Sequence, residues 1–282
     1  MAPGRSVEVL TAGQPGGRTL VFHDGTPAGL VVPPSLLRAA AERGLRLVSY
    51  TRPGYGRSDP QPGRRVADAA ADVAAVLDHI GAGEFVTAGW SGGGPHALAC
   101  AALLPGRCRA AATIASIAPR EAAGLDWLAG MAPENVAEFT AAEQGEAALT
   151  EFLGAAAAGL AGVTGDQIAA GLGDLATPAD RAVLTGDLAE YLAESFRAAL
   201  SAGLAGWRDD DLAFAGDWGF LAGQIAVPVT VWQGDQDAMV PGGHGRWLAG
   251  QIPGARARLF PGDGHLTLMF TRIGEILDDL AG

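Results

Sequence analysis

Ser91, Asp237 and His265 stand in settings that could put a hydroxyl, a carboxylate and an imidazole to work together. Ser91 is the centre of Gly89-Trp90-Ser91-Gly92-Gly93, with the apolar run Phe85-Val86-Thr87-Ala88 before it and the helix-like run Pro95 to Leu104 after it. A Gly-x-Ser-x-Gly turn between a strand and a helix is tight and strained. It lifts the serine hydroxyl clear of the sheet, and glycines are needed where side chains would clash. The chain has 42 glycines, so a short match of this kind arises easily. The strand before it and the helix after it give this one its weight.

A serine hydroxyl is a weak nucleophile. It needs a base, and the base needs an orienter. Both follow in chain order. Asp237 ends Gly234-Asp235-Gln236-Asp237, just past the apolar run Val227 to Trp232. His265 ends Pro261-Gly262-Asp263-Gly264-His265, just past Ala257 to Phe260. Open parallel sheets put their sites at the carboxyl ends of strands, so these positions would meet along one edge. Asp235, Glu121 and Asp126 are rival acids. Among the other histidines, His79 is expected on a solvated helix face and His96 packed behind the serine. His244 is expected to cap a helix or line the rim, and His23 to hydrogen-bond the loop that follows it. The run Asp209-Asp210-Asp211 reads as a solvated loop or helix start, and no His or Cys cluster supports a metal there. Gly92-Gly93-Gly94 is not followed by Gly-Lys-Ser/Thr, which excludes a phosphate loop.

The elements that must position these residues are legible as an alternation. Val7–Leu10, Thr19–Phe22, Arg46–Tyr50, Phe85–Ala88, Arg109–Ile117, Val227–Trp232 and Ala257–Phe260 read as strands. Ser35–Arg43, Val66–Ile80, Gly245–Gln251 and Leu266–Leu280 read as helices. Val66, Ala69, Ala70, Val73, Val76, Leu77 and Ile80 recur at helical spacing. From about residue 120 to 222 the character changes to Ala, Glu and Leu with helical periodicity. Helices are expected over Glu134–Thr140, Glu146–Leu153, Asp166–Leu172 and Asp180–Leu200. Parallel strands with crossover helices imply an α/β sheet covered on both faces, and the helical block is most simply a lid inserted into it.

Composition narrows the classes. A chain of 282 residues, 49% hydrophobic, can bury a sizeable core and is not a disordered chain. Nineteen basic against 31 acidic residues give a net charge of −12, a poor match for nucleic acid or an anionic membrane. No uninterrupted run of eighteen apolar residues occurs, and the N-terminus lacks the apolar core of a signal peptide, so the expectation is a cytoplasmic protein. Cys100 and Cys108 make neither a disulfide framework nor a metal site, and Cys100 is expected as a small core residue.

With these segments assembled, the chain resembles the α/β-hydrolase superfamily over nearly its full length, in the manner of esterase-like and proline-iminopeptidase-like serine hydrolases. His23-Asp24-Gly25-Thr26-Pro27 is similar to the family's His-Gly-x-Pro oxyanion loop, and Arg52-Pro53-Gly54-Tyr55-Gly56-Arg57-Ser58-Asp59 to the loop after the next strand. Gly89–Gly93, Gly234–Asp237 and Gly264-His265 are similar to its three catalytic segments. The resemblance implies nucleophile, acid and base at Ser91, Asp237 and His265, an oxyanion amide at Gly92, and a second amide at Gly25 or Thr26. Asp24 departs from the family loop and leaves that choice open.

The resemblance further implies a core at 1–119 and 223–282 with a lid at 120–222. The implied activity is hydrolysis of a small or medium, moderately apolar ester through an acyl-enzyme. No cofactor or metal is implied, and the partner is a small molecule rather than nucleic acid or membrane. Trp90, Trp127, Phe139 and Trp207 are candidate substrate-binding residues, with Trp218, Phe196, Phe214 and Met131 behind them. The alternatives are a peptidase or amidase that holds a free amino terminus with lid carboxylates such as Glu134, Glu138 or Glu194, a carbon–carbon bond hydrolase or lyase, and a non-catalytic ligand-binding protein on the same scaffold.

Overall fold

The computed structural model describes residues 4–281. Its sheet has seven strands: β1 (Val9–Ala12), β2 (Thr19–His23), β3 (Arg46–Tyr50), β4 (Phe85–Trp90), β5 (Cys108–Ile114), β6 (Val229–Gly234) and β7 (Arg256–Phe260). They lie in the order β1-β3-β2-β4-β5-β6-β7. Only the β1–β3 pair is antiparallel, and all other neighbours run parallel. Every residue of β2, β4 and β6 is buried, which is why they read as continuous apolar runs rather than as alternation. The edge strand β7 is exposed and carries Arg256 and Arg258, charges that discourage pairing with another chain.

Helices cover both faces. On one, α2 (Asp68–His79), α3 (Gly94–Leu103) and α10 (Gly242–Gln251) bury Val73, Leu77, Leu98 and Leu248 against the sheet. On the other, α1 (Pro34–Glu42) and α11 (His265–Ala281) bury Leu36, Leu268, Ile273 and Leu277. The fold is thus an α/β sheet with helices on both sides, as the strand–helix alternation predicts.

Between β5 and β6 the chain forms six α-helices and no strand: α4 (Pro133–Gln144), α5 (Glu146–Leu160), α6 (Gly165–Gly171), α7 (Pro178–Val183), α8 (Gly186–Leu200) and α9 (Ala205–Ala215). Two details differ from the sequence reading. The single helix expected over 180–200 is two, because the chain turns at Gly186, whose φ of +50° suits glycine. The acidic run Asp209-Asp210-Asp211 is neither a loop nor solvated. It lies inside α9 with all three carboxylates buried. Charges this deep require partners, and Arg208 pairs with Asp209 while Arg52 and Arg64 pair with Asp210.

Candidate active site

The Gly89–Gly93 turn is built by the end of β4 and the start of α3. Ser91 has φ +54°, in the left-handed region that non-glycine residues seldom occupy. The strain is enforced by close approach. A Cβ at Gly89 would collide with the Gly93 carbonyl, and one at Gly93 with the His23 carbonyl on β2. His96, in the first turn of α3, holds the serine turn from behind. Its Nδ1 donates to the Gly92 carbonyl at 2.9 Å. Burial and nearby Arg52 push His96 down to about 3, so it is neutral.

Asp237 follows β6 and His265 follows β7. His265 Nδ1 lies 2.8 Å from Asp237 Oδ2 and donates to it, which leaves Nε2 free. Asp237 Oδ1 accepts the Met239 and Val240 amides at 2.9 and 2.7 Å, so the carboxylate is locked in place. Burial alone would lower the His265 pKa. The charge and hydrogen bond of Asp237, helped by Asp180, outweigh it and hold the imidazole above its usual value. Trp90 stacks obliquely on His265, with ring centroids 5.4 Å apart.

Ser91 and His265 face one cavity of about 380 Å³, lined also by Asp24, Gly25, Thr26, Trp90, Trp207 and an apolar wall from α5, α6 and α8 that includes Phe152, Leu160, Leu192 and Phe196. A second lobe of about 50 Å³ opens on the Gly92 side of Ser91, between Thr26, Asn135, Glu138, Phe139, Asp211, Phe214 and Val240. The Gly25 amide is already committed to Asp24 Oδ1 at 2.8 Å. Thr26 sits so close to Gly92 that a Cβ on Gly92 would strike its side chain.

The family model of the alpha/beta hydrolase fold matches residues 18–271. The chain belongs to the α/β-hydrolase family. A non-heme haloperoxidase from Rhodococcus erythropolis is 36% identical over 105 residues, and the match spans 36% of this chain and 38% of that protein's length. Among solved structures, a thermophilic esterase from Thermogutta terrifontis superposes with a TM-score of 0.69 at 19% identity, covering 99% of this chain and 94% of that one. An enol-lactonase from Burkholderia xenovorans LB400 does so with a TM-score of 0.70 at 20% identity, covering 99% and 98%. At these identities the structural likeness shows the shared fold.

Within this α/β-hydrolase the other expected residues distribute unevenly. Trp90 and Trp207 line the large lobe and Phe139 the small one. Trp127 does not reach either lobe. Its indole donates to the Ala118 carbonyl and packs edge-on against Phe139 and His244, which corrects its assignment to the pocket. Trp218 and Met131 are likewise core, whereas Phe196 and Phe214 line the lobes. Glu134 and Glu138 face the cavity, and Glu194 does not. Asp235 is exposed and accepts the Gly262 amide, and Glu121 and Asp126 are exposed too, whereas His265 is buried.

His244 is buried, bonded to the Ala118 amide and the Trp127 carbonyl rather than lining the rim. His23 makes no bond to the loop after it: its Nδ1 is unpartnered and its Nε2 faces Cys100 Sγ at 3.8 Å. His79 is exposed, His96 and Cys100 are buried, as expected. Among the described residues, no three or more His, Cys, Asp or Glu side chains gather to hold a metal.

Three features escaped the sequence reading. Arg52 donates to the Asp24 and Gly25 carbonyls at 2.7 and 2.6 Å and to Thr26 Oγ1 at 2.8 Å, and pairs with Asp210 of α9. Arg64 and Tyr55 complete the ring around Asp210. Burial opposes the Asp210 charge, but the two guanidiniums prevail and hold its pKa far below the usual carboxylate range. Asp180 of α7 accepts the amides of His265, Leu266 and Thr267 at 2.8 to 3.0 Å, capping α11 where the histidine begins it. Glu138 and Asp211 lie together; burial raises both, and repulsion from Glu138 raises Asp211 further. The only sequence hint was three adjacent acidic residues in a helix-compatible stretch.

Proposed function

We propose that this α/β-hydrolase cleaves a small or medium, moderately apolar ester through an acyl-serine intermediate. Ser91 attacks the ester carbonyl while His265 Nε2 takes its proton. Asp237 holds the imidazole in the tautomer that leaves Nε2 free and stabilises the imidazolium that forms. The carbonyl oxygen becomes an oxyanion bound by the backbone amides of Gly92 and Thr26, donors aimed at charge that develops only in the transition state. Gly25 is the weaker candidate for the second amide because its N–H is engaged by Asp24. The carbon–oxygen bond to the alcohol then breaks, and the proton on Nε2 passes to the departing oxygen. Water then attacks the acyl-serine carbonyl, losing a proton to His265 Nε2; the bond from the carbonyl carbon to Ser91 Oγ breaks, Oγ takes that proton, and the acid is released.

The observation that carries this reading is a left-handed serine turn and a histidine–carboxylate pair facing one largely apolar cavity. Residues 120–222 act as the lid. Helices α5 and α8 supply Phe152, Leu160, Leu192 and Phe196 to the cavity wall, joined by Leu172 just past α6, and a covered site keeps bulk water from the intermediate. A relative named as an esterase and another named as an enol-lactonase share the fold and agree with ester-type chemistry. A fluorophosphonate should label the wild-type protein and not Ser91→Ala, and p-nitrophenyl butyrate should be hydrolysed by the first only. Equal labelling, or equal turnover by a folded Ser91→Ala protein, would overturn the assignment.

A further inference from the structure

The two lobes beside Ser91 differ in size, polarity and access to the base, and these differences say which part of a substrate goes where. His265 must pass its proton to the departing oxygen, so that oxygen lies on the His265 side of the reacting carbon. His265 and Leu266 line the large lobe and neither lines the small one. The oxyanion points at the amides. The remaining substituent of the tetrahedral carbon, the acyl chain, can extend past these amides into the small lobe, which neither His265 nor Leu266 lines. At about 50 Å³ this lobe offers roughly two water volumes, room for about two heavy atoms beyond the α-carbon.

Its walls are mixed. Ile117, Phe139, Phe214 and Val240 are apolar, but Asn135, Glu138 and Asp211 also face in. Asp211 is 1% exposed, and its Oδ2 is buried without a donor. Glu138 Oε1 accepts the Trp207 indole N–H at 2.6 Å and no cationic side chain. No Lys or Arg lines either lobe. The nearby guanidiniums are spent: Arg52 and Arg64 on Asp210, Arg208 on Asp209 and Glu146. The lobe thus holds unused acceptor capacity on buried carboxyls, which is costly to leave unmade. Burial raises both carboxyls, and the neighbouring Glu138 raises Asp211 further, in keeping with one proton held between them.

We propose that the small lobe is the acyl site, selecting a short acyl group that carries a hydrogen-bond donor, a hydroxyl or an ammonium, which Glu138 and Asp211 receive. This deepens the proposed ester hydrolysis and rests on it. A neutral hydroxyl would bond to the pair with its proton in place. An ammonium would replace that proton, leaving the charge of the cluster unchanged.

The test holds the leaving group constant and varies the acyl group. p-Nitrophenyl propionate, 2-hydroxypropionate, alaninate and hexanoate are compared on the wild-type protein by kcat/KM divided by the rate constant of each ester's own buffer hydrolysis, after active-site titration with a fluorophosphonate. One of the donor-bearing esters should exceed propionate by tenfold or more, hexanoate should fall below propionate, and the better donor-bearing arm identifies the donor. In E138Q and D211N the ratio of that ester to propionate should collapse at least tenfold. Propionate matching both donor-bearing esters, hexanoate exceeding propionate, or a ratio unchanged in both variants would overturn the proposal. The wild-type panel decides without any variant having to fold. Failure of the fluorophosphonate to label Ser91, with no ester turned over, would instead remove the underlying reading, and this proposal with it.

Discussion

At the residue scale, the His265–Asp237 contact separates two acids that stand two places apart. Asp237 is buried, receives two backbone amides and faces Nδ1, whereas Asp235 is exposed and only steadies the turn before Gly262. Asp237→Asn should therefore lower kcat by a thousandfold or more, because an amide there favours the wrong imidazole tautomer. Asp235→Asn should change it by less than about threefold. Steady-state kinetics on the two purified variants compare them directly, and the reverse ranking would move the acid to Asp235.

The same contact sets a pH dependence. A histidine base works only as neutral imidazole, and Asp237 makes the His265 proton harder to lose. Activity in kcat/KM should rise with pH through an apparent pKa above the ordinary histidine value of about 6.5. In Asp237→Asn the residual activity should rise at lower pH, since the charge that raises the pKa is gone. A profile flat from about pH 5 to 9 in a chemistry-limited assay would count against a histidine base.

At the scale of elements, helices between β5 and β6 hold parts of the site in place. Asp180 of α7 caps the first turn of α11, and the residue at that turn is His265. Asp180→Ala leaves those amides without an acceptor. It should cost about 2 kcal/mol, the upper end for a lost helix cap, measured by urea unfolding. It should also lower kcat, while Asp180→Asn recovers part of both.

Asp210 of α9 has a larger task. It neutralises Arg52, which in turn grips the carbonyls of Asp24 and Gly25 and the Thr26 hydroxyl. Removing one partner of a fully buried pair strands the other, at a cost of about 3–5 kcal/mol. Asp210→Asn should therefore unfold at markedly lower urea. If it is still folded at assay temperature, its kcat should fall by about a hundredfold, as expected when a positioned group drifts by about an ångström. Unchanged stability in Asp210→Asn would show that the Arg52–Arg64 pair finds another counter-charge.

For the whole molecule, the helical segment and the sheet are not separable pieces. The segment supplies Asp180 to α11 and Asp210 to Arg52 and Arg64, each a buried carboxylate on which groups of the sheet side depend. Replacing residues 120–222 by a short Gly-Ser linker should yield a chain without a cooperative unfolding transition, despite an intact seven-stranded pattern. A sharp urea transition with native-like circular dichroism in the deleted chain would show instead that the sheet and its flanking helices fold alone.

The order Ser91, Asp237, His265 and the placement of each after an apolar run were readable because they are local facts. A strand is a run of apolar residues, a turn has its glycines, and the residue after a strand lies at the carboxyl edge. The same locality made the α/β architecture readable, with helices on both faces and a helical stretch between the fifth and sixth strands. What the sequence could not supply are pairings between distant residues. Asp180 meets His265 across 85 positions and Asp210 meets Arg52 across 158. Three consecutive acids look solvated until an opposing guanidinium is known, and Trp127 looks like a pocket residue until its neighbours are. Burial of a charge is decided by what packs against it, and only the tertiary structure brings those partners together.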